Sequence, residues 1–573
     1  MTAQDTPSTN PANDEEAHQD SLANPKPLTP SIPIKFDDIS ANEEKLSALV
    51  PEIGDAHRWY DHPYRFLSFL QSSWRRKIFP RAWLLRLNRA SNFFLAFHQH
   101  DRWKATPRDK PLDNLIIPVS EEVRQGGLWI IEFFPPSYST VLTRALRKNG
   151  WGKNDYFRML EGTNAEQIAE ARRNHGYQWF RIGTVRSPKS RYWLFDAHEE
   201  NLPEEFDSIE LTALQLGQSL TAVIAFVRFS KQGTVALNRI WKAEHEPFFK
   251  WRGLRRPEVE NRYFSAMRAT QSERKRLHNL ARTWFKEKCG GYFADTDEGQ
   301  PIIDFTVFTE FDPTAEKTSR NSNEFLRSFG IERQIHYKYV SEQVPGAVFL
   351  HGDPLRKTEG ALQNSWAVVG QYKTLSLSNE ESNYEEPPSV IALAGTKDWA
   401  VQDFLLRIGV RQYIKQLRAT FSAARDTART KHGRFSPRQV EQLRHEWLTT
   451  SLDLPAVARD TALLSKWHRI DVNAVPLSND FDPPEGFSLI ERFEEERSSA
   501  FEELLQEDLA YRDVLSTAAS LGASAAEARL SRRSMTVAGA SLIVAFVTLI
   551  ATVDVSQIWS QTYEWLVGLL TSS

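Results

Sequence analysis

The stretch MTVAGASLIVAFVTLIATV, from Met535 to Val553, contains no charged residue. Its length is close to the roughly 20 residues with which a helix crosses a bilayer core about 30 Å thick. A helix buried in a large soluble core is the alternative, but such helices are usually shorter or carry a polar face. The hydroxyl groups within the stretch can bond to the backbone of their own helix. The stretch therefore predicts a transmembrane helix over residues 535–553.

The residues that flank this helix predict its orientation. Three arginines precede it, Arg529, Arg532 and Arg533, whereas no Lys or Arg follows it. Basic residues close to a membrane span tend to stay in the cytoplasm. The start of the chain has neither the basic residues nor the apolar run of a signal peptide. We therefore expect a single-pass membrane protein, anchored by its carboxyl end, with its large N-terminal portion in the cytoplasm.

The composition limits the classes of function. The only cysteine, Cys289, excludes an internal disulfide and zinc sites built from several cysteines, and it fits a reducing compartment. A net charge of −3 gives no global field for nucleic acid, which is therefore not an expected partner. The membrane is the expected partner, and the sequence leaves open a protein partner or a homo-oligomer. No motif identifies a catalytic residue, a cofactor-binding residue or a metal ligand, so we expect no cofactor.

Composition and periodicity divide the chain into seven segments. They predict an α+β fold, in which a cytosolic mixed α/β head is followed by a helical region, a long stalk helix and a C-terminal transmembrane helix. The segments are a disordered arm (1–45), the head (46–396), the helical region (397–475), a linker (476–486), the stalk helix (487–533), the transmembrane helix (535–553) and an interfacial amphipathic tail (554–573).

Apolar runs, and the Gly, Pro and Asn residues that end them, predict individual elements of this fold. Strands are expected at LWIIEFF (Leu128–Phe134), at IIDFTVF (Ile302–Phe308) and in a hairpin of Tyr177–Val185 with Arg191–Phe195. Helices are expected over Tyr138–Lys148, Leu211–Phe229, Val401–Lys431 and Pro437–Leu448.

The segment from Trp59 to Lys104 is both aromatic and basic. Its part from Gln71 onward holds eight Lys or Arg and one acid. Such a segment is typical of docking on anionic lipid, of binding a nucleic-acid backbone, or of a solvated helical face whose arginine stems cover apolar surface. The candidate lipid-facing residues are Arg75, Arg76, Lys77 and Arg81. The pair His98 and His100 invites a metal interpretation, but on a helix this spacing points the two rings apart.

Two later blocks carry opposite charge. Arg228 to Lys288 holds sixteen Lys or Arg against six acids, whereas Ala294 to Asp312 is acidic and has no Lys or Arg. Acid clusters can hold Mg²⁺ or Ca²⁺, but the spacing of an EF-hand is absent. We expect the two blocks to neutralise one another in the fold.

Two short fragments resemble parts of known enzymes. AVFLHGDP (Ala347–Pro354) is similar to the catalytic strand end of small-molecule phosphotransferases, but Thr358 stands where that family needs Asn. VIALAGTKDWAV (Val390–Val401) is similar to the acid-bearing loop of α/β-hydrolases, but no Gly-x-Ser-x-Gly lies between the fragments. We reject both resemblances as evidence of activity. Both fragments still predict strands that lead into turns.

The predicted stalk helix carries an apolar stripe. Its positions are spaced by three, four or seven, as in a coiled coil, and include Phe493, Leu504 and Tyr511. Acidic residues beside the stripe oppose self-association of identical helices. The predicted helix Val401–Lys431 has a basic face. We therefore expect the stripe to pack against that helix of the same chain, with self-association as the alternative.

Three functions remain open. The first is a C-terminally membrane-anchored cytoplasmic interaction or sensor protein. The second is a subunit of a CorA-like cation transporter or channel, because a cytosolic head, a long helix and C-terminal membrane segments resemble the layout of CorA-type channels. Val553-Asp554-Val555 stands where that family has Gly-Met-Asn, so the resemblance is one of layout only. The third is a membrane-tethered enzyme of another type.

Overall fold

A computed structural model describes most of the chain from residue 46 onward. The described residues are 46–55, 58–72, 75, 77–105, 117, 120–151, 163–174, 176–190, 197–252, 256–315, 326–330, 337–351, 362–378, 388–430, 437–467, 470–476, 487–552 and 563. The chain divides into two compact units, a first unit of Met1–Pro107 with Phe249–Val259 and a second unit of Arg108–Phe248 with Glu260–Ser573. The predicted arm, the predicted linker after Pro476, and the predicted tail apart from Tyr563 lie outside the described residues.

The second unit is built on a sheet of ten strands. Its order is β12-β9-β10-β11-β8-β1-β5-β4-β2-β3, and only the pairs β11–β8 and β2–β3 are parallel. Strands β6 and β7 form a separate pair. The strands are β1 (Val123–Phe134), β2 (Tyr177–Arg186), β3 (Ala197–Glu199), β4 (Phe206–Leu216), β5 (Leu220–Phe229), β6 (Phe248–Arg252), β7 (Arg256–Glu260), β8 (Ile302–Phe308), β9 (Tyr337–Val340), β10 (Ala347–His351), β11 (Ser365–Gln371) and β12 (Asn473–Pro476).

In the part of the chain that the structure describes, eleven α-helices of at least six residues accompany these strands, and the predicted α+β class is confirmed. They are α1 (Asp61–Gln71), α2 (Arg81–Ala105), α3 (Ser139–Lys148), α4 (Asn164–Arg173), α5 (Lys231–Lys242), α6 (Arg262–Cys289), α7 (Tyr372–Leu377), α8 (Val390–Thr396), α9 (Asp398–Thr430), α10 (Pro437–Thr461) and α11 (Leu489–Thr552). Three short 3₁₀ helices lie at Pro136–Tyr138, Phe293–Asp295 and Ala462–Ser465.

Strand β1 lies near the centre of the sheet and is covered on both faces. Trp129 and Phe133 belong to a core shared with α8, α9, α10 and the start of α11. Leu128 and Ile130, which point the other way, belong to a core shared with α3 and α6. A strand buried on both faces needs apolar residues at nearly every position, and LWIIEFF has this pattern. Gly409 lets α9 approach closely, because a Cβ there would lie 2.8 Å from Cζ of Phe133.

The structure contradicts two of the element predictions. Leu211–Phe229 is not a helix but most of the hairpin formed by β4 and β5, which turns at Gly217 with φ +52°. Both strands are buried on both faces, so their apolar run lacks the alternation that distinguishes a strand from a helix. Val390–Val401 is not a strand but α8 and the first turn of α9, and Ser389 caps α8 through the Ala392 N–H at 3.1 Å.

The other predicted elements are present in the described residues. The strands at Leu128–Phe134, Ile302–Phe308 and Tyr177–Val185 form, although β2 pairs with β4 and β3, and Arg191–Phe195 lies outside the described residues. The helix predicted at Val401–Lys431 is α9. The helix predicted at Pro437–Leu448 extends to Thr461, past Pro455.

Candidate membrane-anchoring site

The first turns of α11 belong to the core of the second unit. Phe493 and Leu504 are 6% and 1% exposed and pack in the cluster that also contains residues of α9 and α10. Burying such side chains contributes roughly 1.5–3 kcal/mol each. The part of the apolar stripe from Phe493 to Leu504 is therefore covered by α9 and α10 of the same chain.

Four ion pairs join α9 to the first part of α11. The pairs are Arg407–Glu494, Arg411–Glu496, Arg418–Glu503 and Arg425–Glu507. In three of them both side chains are more than a third exposed, and such pairs contribute at most about 1 kcal/mol. Arg407 differs, because its side chain is 1% exposed and also donates to the Leu464 carbonyl at 3.1 Å. The exposed pairs align the two helices, whereas Arg407 is a buried anchor.

Helix α10 contacts α11 after these ion pairs, at residues 508–512. Asp508 is 2% exposed and accepts hydrogen bonds from the Trp447 indole at 3.0 Å and from the Ser451 hydroxyl. Arg512 pairs with the same carboxylate at 2.7 Å and donates to the Ser451 carbonyl at 2.9 Å. The ring of Tyr511 lies 4.2 Å from that of Trp447. These contacts fix the helix at the point where it leaves the core.

The far end of α11 is apolar and wholly exposed. Residues Leu530–Thr548 have a mean hydropathy of 1.2, and none of that window is buried. Leu542, Ile543 and Phe546 are 73%, 65% and 61% exposed. The Thr548 hydroxyl donates to the Val544 carbonyl at 2.7 Å, so the hydroxyl groups do not prevent burial in lipid. By length and composition this segment is a candidate membrane span.

The basic residues singled out from the sequence lie in two places. Arg532 and Arg533 are exposed on α11, at the start of the apolar window, and the side chain of Arg529 is not described. Lys77 and Arg81 are exposed in the first unit, whereas Arg75 lies over the ring of Phe69 at 3.4 Å. Arg76 lies outside the described residues.

The two histidines of α2 do not converge. His98 and His100 are 5% and 3% exposed, and on a helix residues two apart point to different sides. Burial lowers the pKa of His98, which favours its neutral form. Within the part of the chain that the structure describes, no three His, Cys, Asp or Glu side chains are grouped as for a metal ion.

The two charge blocks meet in a buried ion pair. Arg274 on α6 and Asp304 on β8 are 1% and 0% exposed, and their two hydrogen bonds include Arg274 Nη2 to Asp304 Oδ1 at 3.0 Å. Nε2 of His278, one turn along α6, lies 2.8 Å from Asp304 Oδ2. Burial alone would raise the pKa of Asp304, but Arg274 and His278 outweigh it and lower that pKa. Asp304 therefore binds α6 to the sheet.

Glu132 is a second buried charge, and the sequence analysis missed it. It is fully buried on β1 and accepts hydrogen bonds from the Phe293 N–H at 2.6 Å, the Ala294 N–H at 3.0 Å and the Gln300 amide at 3.1 Å. Burial raises its pKa to about 7. The signal was present, because Glu132 is the only charged residue in LWIIEFF. Its contacts show that it fixes the loop that follows α6.

The pKa of His278 gives the stability a predicted pH dependence. Burial lowers this pKa from 6.5 to about 4, so between these values the unfolded chain binds more protons than the folded chain. Stability is then lost as the pH falls from about 6.5 to about 4, by roughly 3 kcal/mol in total. We expect His278→Gln, which keeps a donor towards Asp304, to lose less stability over this range than the parent protein.

Denaturant midpoints between pH 4 and pH 7 test this expectation. Glu132 affects the pH dependence of stability in the opposite direction. Because its pKa is raised in the folded protein, its contribution to the free energy of unfolding falls as the pH rises. It is present in both proteins, so the difference between their curves isolates His278. His198→Gln, at an exposed histidine, is the control. Parallel curves for the parent and His278→Gln would contradict the assignment.

A groove of about 860 Å³ lies beside the base of α11. It is lined by α9, by residues 493–500 of α11, and by His351 and Trp366, whose rings are 4.8 Å apart. Its lining carries both signs of charge, and Arg411 pairs with Glu496 at 3.1 Å. The groove can therefore hold a polar ligand only by competing with these pairs.

The two enzyme-like fragments have structural contacts of their own. His351 ends β10 and lines the groove, whereas Gly352 and Asp353 lie outside the described residues. In the second fragment, Asp398 accepts hydrogen bonds from the Trp129 indole at 2.6 Å and from Gln402 at 2.7 Å. The Asp398 carboxylate thus holds β1 against α9.

Comparison with known proteins finds no protein family, no curated protein and no solved structure that matches this chain.

Proposed function

We propose that this chain is a membrane-anchored interaction or sensor protein, held in the bilayer by the far end of α11, with its large N-terminal portion in the cytoplasm. The observation that supports the proposal is the continuity of α11. One helix of 64 residues begins in a buried core and ends in an exposed apolar segment. An apolar helical surface of this length is unfavourable in water and matches the thickness of a bilayer core.

The same continuity supports a sensing role. Glu494 and Asp508 tie the base of α11 to α9 and α10, which also form one face of the core over β1. A ligand or partner that binds the head and shifts α9 or α10 therefore acts directly on the helix that enters the membrane. The groove beside Arg411 and Glu496 lies at this junction, where an occupant would change the pairing between the two helices.

Reporter fusions test the topology. We expect a reporter that works only in the cytoplasm to be active when fused to the N-terminus and inactive when fused after Ser573. The physical reason is that Arg532 and Arg533 keep their side of the span in the cytoplasm. As a control, the N-terminal fusion of a chain ending at Arg529 should be active but soluble, whereas the full chain should resist alkaline extraction from membranes.

Cytoplasmic activity of both fusions would contradict the single crossing. It would instead support our second candidate, a subunit of a CorA-like cation transporter or channel, because residues 554–573 would then cross back. The unbroken helix from core to candidate span also favours this alternative. Uptake of a divalent cation by liposomes that contain the purified chain would distinguish the two.

A further inference from the structure

One stretch of the first unit, residues 58–104, is strongly basic. Residues 58–104 contain ten Lys or Arg and only two acids, Asp61 and Asp101. Asp61 is 2% exposed and accepts hydrogen bonds from the Gly54 N–H at 2.8 Å and the Arg58 N–H at 2.9 Å. Asp101 pairs with Arg58 and accepts a hydrogen bond from the Tyr60 hydroxyl at 2.8 Å. Both carboxylates of this stretch are therefore engaged by neighbouring groups, and its net charge is positive.

Large apolar side chains are exposed among these cations, where α1 ends and α2 begins. Phe69, Ile78, Trp83 and Leu85 are 54%, 64%, 54% and 55% exposed. On α2, Arg81 and Leu85 are four residues apart and share a face, whereas Trp83 points to another side. Exposed apolar side chains of this size among polar residues are typical of interaction sites. We call this set of side chains the basic–aromatic corner; it comprises Phe69, Arg75, Lys77, Ile78, Arg81, Trp83, Leu85 and Arg86.

Cations lie directly beside two of the rings of the corner. The guanidinium of Arg75 lies 3.4 Å from the centre of the Phe69 ring, and that of Arg86 lies 5.5 Å from the Trp83 ring. Lys77 and Arg81 are exposed and flank Ile78 in the sequence. Rings and aliphatic groups that sit beside Lys and Arg match the boundary between acyl chains and anionic headgroups.

We propose that the basic–aromatic corner docks on an anionic lipid bilayer, with Ile78 and Leu85 entering the interface and Lys77 and Arg81 binding headgroup phosphates. This inference rests on the proposed function, because the membrane anchor holds the first unit near a bilayer at a high effective concentration. Charge opposes the alternative of a second copy, since two such corners would repel. Ile78 and Leu85 also offer no ring on which a nucleic-acid base could stack.

The test uses the full chain reconstituted in liposomes of phosphatidylcholine with or without phosphatidylserine. Ile78→Cys carries an environment-sensitive fluorophore, and Cys289 does not compete for the label because it is fully buried. We expect a blue-shifted emission that brominated lipids quench, only with phosphatidylserine, and that weakens as salt is raised. Leu377→Cys, at an exposed apolar residue of the second unit, should show neither effect.

Charge reversal sharpens the test. Lys77→Glu with Arg81→Glu should reduce the docking equilibrium constant at least roughly fivefold for each basic side chain replaced, because these two cations face the headgroups. Lys231→Glu with Lys466→Glu changes the net charge equally at exposed lysines of the second unit and should leave the emission shifted.

Three results would overturn the docking proposal. One is the same emission with both lipids, and another is a blue shift that depends on protein concentration but not on lipid, which would identify a second copy as the occupant. The third is an equal loss of the shift in both charge-reversal variants. A chain that resists alkaline extraction while the fluorophore stays in water refutes only the docking. A chain that alkali extracts refutes the proposed anchor itself.

Discussion

Asp304→Asn should lower the free energy of unfolding of the second unit by about 3–5 kcal/mol, because it leaves the guanidinium of Arg274 buried without its carboxylate. Arg274 is 1% exposed, so water cannot replace the lost charge. The denaturant midpoint of the detergent-solubilised protein, followed by tryptophan fluorescence, measures the effect. We expect a clear fall in this midpoint.

The exposed pair Arg411–Glu496 provides the control. Glu496→Gln should change stability by less than about 1 kcal/mol, because both side chains are in contact with water. Combining Asp304→Leu with Arg274→Met should recover most of the loss, since both the buried guanidinium and the buried carboxylate are then absent. An effect of Asp304→Asn as small as that of Glu496→Gln would show that the ion pair does not hold α6 on the sheet.

Leu504→Asp should destabilise the second unit by about 4 kcal/mol or more, because it removes a buried aliphatic side chain and places a carboxylate in the core. Leu504 is 1% exposed, whereas Leu509, five residues further along the same helix, is 66% exposed. Leu509→Asp is therefore the matched control and should change stability by less than about 0.5 kcal/mol. Thermal unfolding in detergent measures both variants.

The mass of the same samples, by light scattering, separates packing within the chain from self-association. We expect a monomer for the parent protein and for both variants. A defined oligomer that dissociates in the Leu504→Asp variant would contradict the packing of α11 on α9 and α10 of the same chain. An oligomer that dissociates only in the Leu509→Asp variant would instead identify the exposed face of α11 as a contact between copies.

The sequence predicted those parts of the fold and site in which a local pattern carries the information. The candidate span is recognisable because 19 residues without a charge have few alternatives. The pairing of α9 with α11 was predictable because each helix shows an apolar stripe, and the charges beside it are mainly basic in α9 and mainly acidic in the first part of α11. Both features can be read from neighbouring residues.

Features that depend on distant residues were not predictable in the same way. Arg274 looked like one cation in a basic block, and only the fold brings Asp304 against it. The hairpin of β4 and β5 was mistaken for a helix because burial on both faces removes the alternation of a strand. The basic character of the corner was visible, but the exposure of Ile78 and Trp83 depends on how α1 and α2 pack.

The uninterrupted run of α11 makes it a lever. From Asp508, where α10 holds it, to Thr548 there are 40 residues, or about 60 Å at 1.5 Å per residue. A tilt of about 5° at the fixed end would move the far end by about 5 Å, which is the length of one helical turn. Gly522 and Gly539 are the glycines along this arm, and they are the natural places for it to bend. Small changes in the core around Trp447 are thereby magnified at the apolar end of the helix, and the stiffness of the helix at these two glycines determines how large the displacement there is.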